Sequence, residues 1–265
     1  MNIFLGEISL KNQAAEGNII YIHMNHTARY ILSSGIQFSD FMKGIPVKPS
    51  NLLLLKHQFE DGYYNMHTRL NFITSENVEQ LLEDDVFRYE EFCWVDFSDE
   101  EELNELTGQE LAEFLYLSHI KSPLRPPFYR MLGNQFFYLA EGDGIFNKTY
   151  YKKWEHFFAM IGVVISNRMS PGRERTLFGR RKYRPVPFIP ADIIQILGGQ
   201  MKEGIVFSFD KVTGDRLKME VPIWIVGDFI DRDEMYEEYL QLSRHAPNAR
   251  LVLDRKAGEW QALLE

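Results

Sequence analysis

Cysteine is nearly absent from this chain of 265 residues. Cys93 stands alone, so no internal disulfide can form and no oxidising compartment is implied. Long apolar runs are missing as well. The most apolar window, Phe157 to Ile165, is about half of the roughly 20 residues that a helix needs to cross a bilayer. The opening residues, Met1 to Glu7, show no basic region ahead of an apolar one, so no secretory signal is read there. These absences lead to the expectation of a soluble, cytoplasmic protein without a membrane role. An excess of base is lacking too: 29 Lys and Arg face 38 Asp and Glu, a formal charge of -9. Such a chain repels polyanions overall, which disfavours nucleic acid as a partner.

Catalytic and ligand-binding motifs are also wanting. Gly198-Gly199-Gln200-Met201-Lys202-Glu203-Gly204 has no closing Gly-Lys-Ser/Thr, and no Gly-x-Ser-x-Gly elbow occurs. No CxxC or HExxH spacing is present. No cofactor and no metal are therefore expected. What the chain does have is an ordinary globular balance, 45% hydrophobic and 25% charged, which excludes a disordered chain, a collagen and a coiled-coil rod.

Strand and helix signals alternate in clusters. Ile19 to Ile22 and Tyr30 to Leu32 read as strands from their β-branched and aromatic content. Leu52 to Phe59 and Tyr63 to Phe72 read as two strands joined by a tight turn at Asp61-Gly62. Phe92 to Phe97 is a buried strand, and Gln135 to Ala140 another. Ser75 to Val86, Leu103 to Ile120, Tyr150 to Met169, Ala191 to Met201 and Asp233 to Arg244 carry helical spacing. Gly198 and Gly199 are expected to cap the fourth of these. Ile205 to Phe209 and Leu217 to Val226 form a hairpin about Thr213-Gly214-Asp215, and Arg250 to Leu253 with Trp260 to Leu264 form the last one, turning near Gly258.

Runs of hairpins without regular βαβ alternation point to an α+β fold, mainly antiparallel, with helices packed on one side. The segment 171–189 is rich in proline and base, so the chain is expected to divide into parts 1–170 and 190–265 about a linker or long loop, with both parts able to share one sheet. The order of hairpin, Trp-containing strand, acidic helix and hairpin occurs around Trp94 and again around Trp224. Internal pseudo-duplication and convergence on a common unit both account for it.

Several runs, Leu53-Leu54-Leu55-Lys56-His57, Tyr64-Asn65-Met66-His67-Thr68-Arg69 and Phe92 to Phe97, with Leu103 to Leu106, Asn147 to Tyr151 and Asp233 to Glu238, resemble a family of soluble bacterial proteins of uncharacterised function. Some members of such families carry an automatic oxalate:formate antiporter label. The lack of any membrane-spanning run here contradicts that label, and the resemblance implies no catalytic residues.

Candidate site residues come from three places. His57 and His67 flank the Asp61-Gly62 turn. A two-residue turn would set His57 opposite Met66 and His67 opposite Lys56, placing the two imidazoles on opposite faces. Asp96 and Asp228 each follow a Trp-containing strand, where a carboxylate either caps the next helix or lies at a ligand-binding sheet edge. His23 and His26, three apart on a strand, face opposite ways. The basic run Arg173, Arg175, Arg180, Arg181, Lys182 and Arg184, with Tyr183 and Phe178 interleaved, fits an acidic protein surface or the chain's own acidic stretch from Glu83 to Glu113. The reading is a non-enzymatic interaction or regulatory protein with a protein partner, binding through Arg175, Arg180, Arg181, Tyr183 and Arg184. The alternative is a hydrolase-like enzyme using Asp96, His57 or His67.

Overall fold

The computed structural model of the protein describes residues 18–56, 59, 61–83, 92–119, 127–140, 146–170 and 186–265. Chain contacts gather into two compact units of interleaved segments. Unit 1 holds Met1–His23, Gly35–Pro46 and Phe157–Glu265, and unit 2 holds Met24–Ser34 and Val47–His156. Helices and antiparallel strands both contribute heavily, so the class is α+β, as the hairpin signals indicate.

In unit 1 the strands run in the order β13 (Glu259–Leu264), β12 (Ala249–Asp254), β11 (Lys218–Ile225), β9 (Ile205–Ser208) and β1 (Ile19–Asn25, which the unit holds as far as His23). Ile19 lies opposite Ser208, and Ile223 opposite Phe207. The short β10 (Thr213–Gly214) folds back on β11 with Gly214 opposite Met219, so Thr213 and Gly214 are strand where the turn is expected, and the chain turns over Asp215 to Leu217. The helix expected over Ala191 to Met201 is two short helices, Ala191–Gln195 and Gly198–Met201. Gly198 and Gly199 therefore open the second helix and do not cap the first.

In unit 2 the order is β2 (Tyr30–Ser34), β8 (Asn147–Tyr151), β7 (Phe136–Ala140), β6 (Phe92–Phe97), β3 (Asn51–Leu54), β5 (Leu70–Ile73) and β4 (Tyr63–Asn65). Every residue of β6 is buried, as its apolar run demands. Cys93, Val95 and Phe97 pack on one side with Leu53, Phe72, Phe137 and Leu139. Leu103, Leu106 and Phe114 cover them from two helices, α3 (Glu100–Glu105) and α4 (Gly108–His119). The sequence predicts one helix there. It breaks because Thr107 starts a new one: Glu110 accepts from the Thr107 N–H and hydroxyl, both at 2.8 Å, and its own N–H donates to Thr107 Oγ1. Tyr150 and Tyr151, expected in a helix, belong to β8, and the helix starts at Trp154. The first two helices in chain order are α1 (Phe38–Gly44), which carries no sequence expectation, and α2 (Ser75–Glu83), which starts at the expected Ser75.

The expected hairpin about Asp61-Gly62 is not the one that forms. β4 pairs with β5 through Asn65 opposite Leu70, so Met66 to Arg69 make the turn and His67 leaves the strand. β5 then pairs with β3, Leu52 opposite Ile73. Asn65 decides this, because its side-chain Oδ1 accepts the Thr68 N–H at 2.8 Å and its backbone carbonyl the Arg69 N–H at 3.0 Å. The expected pairing of His67 with Lys56 is absent for that reason.

This turn has two counterparts. Asn25 Oδ1 accepts the Ala28 N–H at 2.8 Å. Asp254 Oδ1 accepts from Lys256 and Ala257, while the Gly258 N–H reaches the Asp254 carbonyl. In all three the fifth residue is left-handed: Arg29 at φ 62°, Arg69 at 60° and Gly258 at 76°. A side chain in that region costs about 1–2 kcal/mol. Replacing Arg69 with Gly should therefore raise stability by about 1 kcal/mol in urea unfolding. Arg29→Gly should gain less, because the Arg29 guanidinium donates to the Lys152 carbonyl and lies 5.8 Å from the Trp154 ring centroid. An equal gain at both positions would remove the value assigned to those contacts.

Candidate functional site

His57, Arg175, Arg180, Arg181, Tyr183 and Arg184 lie outside the described residues. Two of the expected catalytic residues are placed. Asp96 is 6% exposed within β6. Its Oδ1 accepts the Phe136 N–H at 2.7 Å, and both of its oxygens accept the Gln135 N–H at 3.0 Å. Burial pushes this carboxyl up to about 6, against the downward pull of those N–H groups and of Lys152. His67 is exposed, and its Nε2 donates to the Leu106 carbonyl at 2.6 Å. The two side chains thus spend their polar atoms on backbone in different places, one at the start of β7 and the other at the end of α3.

Neither Asp96 nor Asp228 caps a helix, so the first of the two roles offered for them in sequence does not hold. In each case the cap is the aspartate three residues on. Asp99 accepts from Glu101 N and Asp231 from Asp233 N and Glu234 N. Asp228 instead meets His23, with Nδ1 2.8 Å from Oδ1. Beside them the Tyr21 hydroxyl donates to the Gly227 carbonyl and accepts the Phe229 N–H, both at 3.1 Å. A carboxylate on one imidazole nitrogen fixes the orientation of the ring. The Asp228 side chain is 64% exposed, which weakens the pair. A second polar group lies in unit 1, where Ser208 Oγ meets the Tyr239 hydroxyl at 2.7 Å and donates to Asp210. Burial first, and Asp210 second, push the Tyr239 phenol up to about 12. Lys211 completes this group by donating to the Ser243 carbonyl, with its ammonium 5.5 Å from the Trp224 ring centroid. These contacts pin the helix Arg232–Leu242 to β9 and β11.

Neither group brings three metal-ligating side chains together. Among the described residues no cluster of His, Cys, Asp and Glu could hold an ion, and no helix is long and apolar enough to cross a membrane.

The surface of unit 2 is more distinctive. Unit 2 carries 20 acidic residues against 11 basic, while unit 1 carries 18 of each, so the whole formal charge of -9 falls within unit 2. In α3, Glu100, Glu101 and Glu105 are exposed and no base offsets them in its last turn. The end of α3 is tied to the β4–β5 turn through Asn65 Nδ2, which donates to Asn104 Oδ1 at 3.2 Å, and through His67. On that turn and on β4, Tyr63, Tyr64 and Met66 stand out into solvent. The run Tyr63-Tyr64-Asn65-Met66 carries no such signal in sequence, because alternation in a strand predicts that one of two adjacent tyrosines is buried.

Comparison with protein-family models, curated proteins and solved structures found no match.

Proposed function

We propose that the chain is a non-enzymatic, cytosolic protein-interaction protein that recognises its partner through segregated charge. The observation that supports this reading is the partition of charge. Unit 2 holds the entire -9, while unit 1 is balanced and includes six bases against one acid between Arg173 and Arg184. Segregated charge steers association and discriminates among partners, a use that scattered charge of the same total cannot serve. The anchoring of Asp96 on the backbone of β7 and of His67 on the Leu106 carbonyl weighs in the same direction, since the two are held in different places and not as an acid–base pair.

Tagged full-length protein, crosslinked mildly in its native cytosol, is expected to bring down one stoichiometric partner. Changing Arg180, Arg181 and Arg184 together to Glu should abolish that capture and leave the melting temperature unchanged. Capture that survives the reversal would remove the role given to these arginines. A clean preparation with no partner would overturn the reading and favour the hydrolase alternative, to be pursued by a hydrolase screen.

A further inference from the structure

We infer that the β4 edge and the turn after it are the docking surface of unit 2, and that they receive a partner segment rich in Lys or Arg with apolar side chains between them. The inference rests on the interaction reading above and names the partner's chemistry and the residues that meet it.

Exposure comes first. Tyr63 is 50% exposed, Tyr64 51% and Met66 70%, three large apolar or amphipathic side chains within four positions. β4 is the last strand in the order of unit 2 among the described residues, so its outer edge offers backbone groups to an added strand. Tyrosine and methionine are enriched at interfaces, where a rigid ring gives contact area at little entropic cost.

Rigidity comes second. The Tyr63 ring stacks on Phe72, with centroids 5.4 Å apart and planes at 26°. The turn below Met66 is held by Asn65 through its bonds to Thr68, Arg69 and Asn104, and by His67 on the Leu106 carbonyl. A surface ordered beforehand loses less freedom on binding.

Charge selects the occupant. The residues that hold the turn, Asn104 and Leu106, flank Glu105, and Glu101 lies one helical turn before it. Arg69 is the one Lys or Arg on the turn. An acidic or nucleic-acid segment would meet repulsion at this surface, whatever acidic part of the partner the arginines of unit 1 receive. A basic segment with interspersed apolar residues satisfies both the carboxylates and the tyrosine ridge.

The probe is a short fluorescent peptide alternating Lys and Val, titrated with the full chain at low salt and followed by anisotropy. Three controls replace Lys with Glu, replace Val with Gly, or substitute an oligothymidylate of matched length. The Lys–Val peptide should bind, weaken as salt is added, and lose affinity about tenfold with the triple variant Tyr63→Ser, Tyr64→Ser, Met66→Ser. A second variant, Glu101→Lys with Glu105→Lys, should lose as much, and circular dichroism should show both folded. Equal binding of the Lys–Gly peptide, unchanged binding by the ridge variant, or preference for the oligothymidylate would each overturn the inference. Capture of a stoichiometric partner by both the unaltered chain and the ridge variant would overturn this surface while sparing the interaction reading. Failure of the unaltered chain to capture any partner would instead remove that reading.

Discussion

At about pH 4, Asp96→Ala is expected to lose about 3 kcal/mol of stability in urea unfolding, because the N–H groups of Gln135 and Phe136 lose their acceptor at a buried position. Asp96→Asn keeps one carbonyl oxygen where Oδ1 now accepts both bonds, and should lose far less. The wild-type carboxyl also ties stability to pH. Its folded value is about 6, above the ordinary value of roughly 4 in an unfolded chain. Between these limits the folded protein holds a proton that the unfolded chain has released. The stabilisation from Asp96 is therefore complete below about pH 4 and is lost as the pH rises through about 6. A rise of that size corresponds to about 3 kcal/mol. The difference between wild-type and Asp96→Asn unfolding curves across that window isolates the group from other carboxylates. A difference that stays flat with pH would remove the assigned cause, and a loss below about 1 kcal/mol in Asp96→Ala would remove the anchoring role.

Gly204→Ala should be still more damaging. A β-carbon at this position would lie 1.9 Å from the Gly227 carbonyl oxygen and 2.5 Å from its carbon, and φ is +84°. The neighbouring backbone cannot retreat cheaply, since the Val226 N–H donates to the Gly204 carbonyl at 2.9 Å and continues the end of β11. Overpacking and an unfavourable dihedral act together here, and a loss of about 4 kcal/mol or more is expected, seen as a collapse in soluble yield or a large fall in melting temperature. Gly199→Ala is the control. It lies five residues away in a short helix with nothing within 4 Å of the added carbon, and should be neutral or gain up to about 1 kcal/mol. Equal behaviour of the two would mean that the approach of Gly204 to Gly227 is not the constraint assigned to it.

Local chemistry was the legible part of this fold. The turn at Gly258 and the hairpin that closes just after Thr213-Gly214 both follow from side chains that act on their own neighbours, Asp254 in one and Asp215 in the other. The error at Asp61-Gly62 shows the limit of that reasoning. Asp-Gly is a good turn pair in isolation, and a turn does form there, with the Gly62 N–H on the Phe59 carbonyl. It does not pair the flanking strands, because Asn65 closes a second turn four residues later. The same rule, applied to Asn65 with its donors at the third and fourth following residues, would have found it. The break at Thr107 was equally local, a capping box hidden inside an apolar face that continued across it.

The candidate sites were less legible because they depend on distant pairings. His23 and Asp228 are 205 positions apart in sequence and meet only once β9 has paired with both β1 and β11. One sequence clue existed. Asp96-Phe97-Ser98-Asp99 and Asp228-Phe229-Ile230-Asp231 share a spacing, and in each the second aspartate caps the helix, releasing the first for other work. The first aspartates then diverge, one buried against backbone and the other on a histidine, so position after a Trp-containing strand does not define a common chemistry. Tyr63 and Tyr64 escaped for a different reason. Alternation presumes a strand covered on one face, whereas a three-residue strand at the end of the order leaves both rings uncovered.

The three turns closed by Asn25, Asn65 and Asp254 also bear on the order of events during folding. Each forms from residues within six positions, so closing it restricts a short loop and takes on the order of microseconds. The pairing of Ile19 with Ser208 must instead close a loop of 189 positions, and it gains little until the intervening elements exist. Hairpins β4–β5 and β12–β13 thus set their own register early, while β1 waits for β9. Since β1 is the first strand described and β9 lies late in the sequence, a ribosome releases the early partner long before its mate has been made. During that interval the edge of Ile19, Ile20, Tyr21 and Ile22 that β9 will pair lacks that partner, and shielding it falls to chaperones or to speed of synthesis.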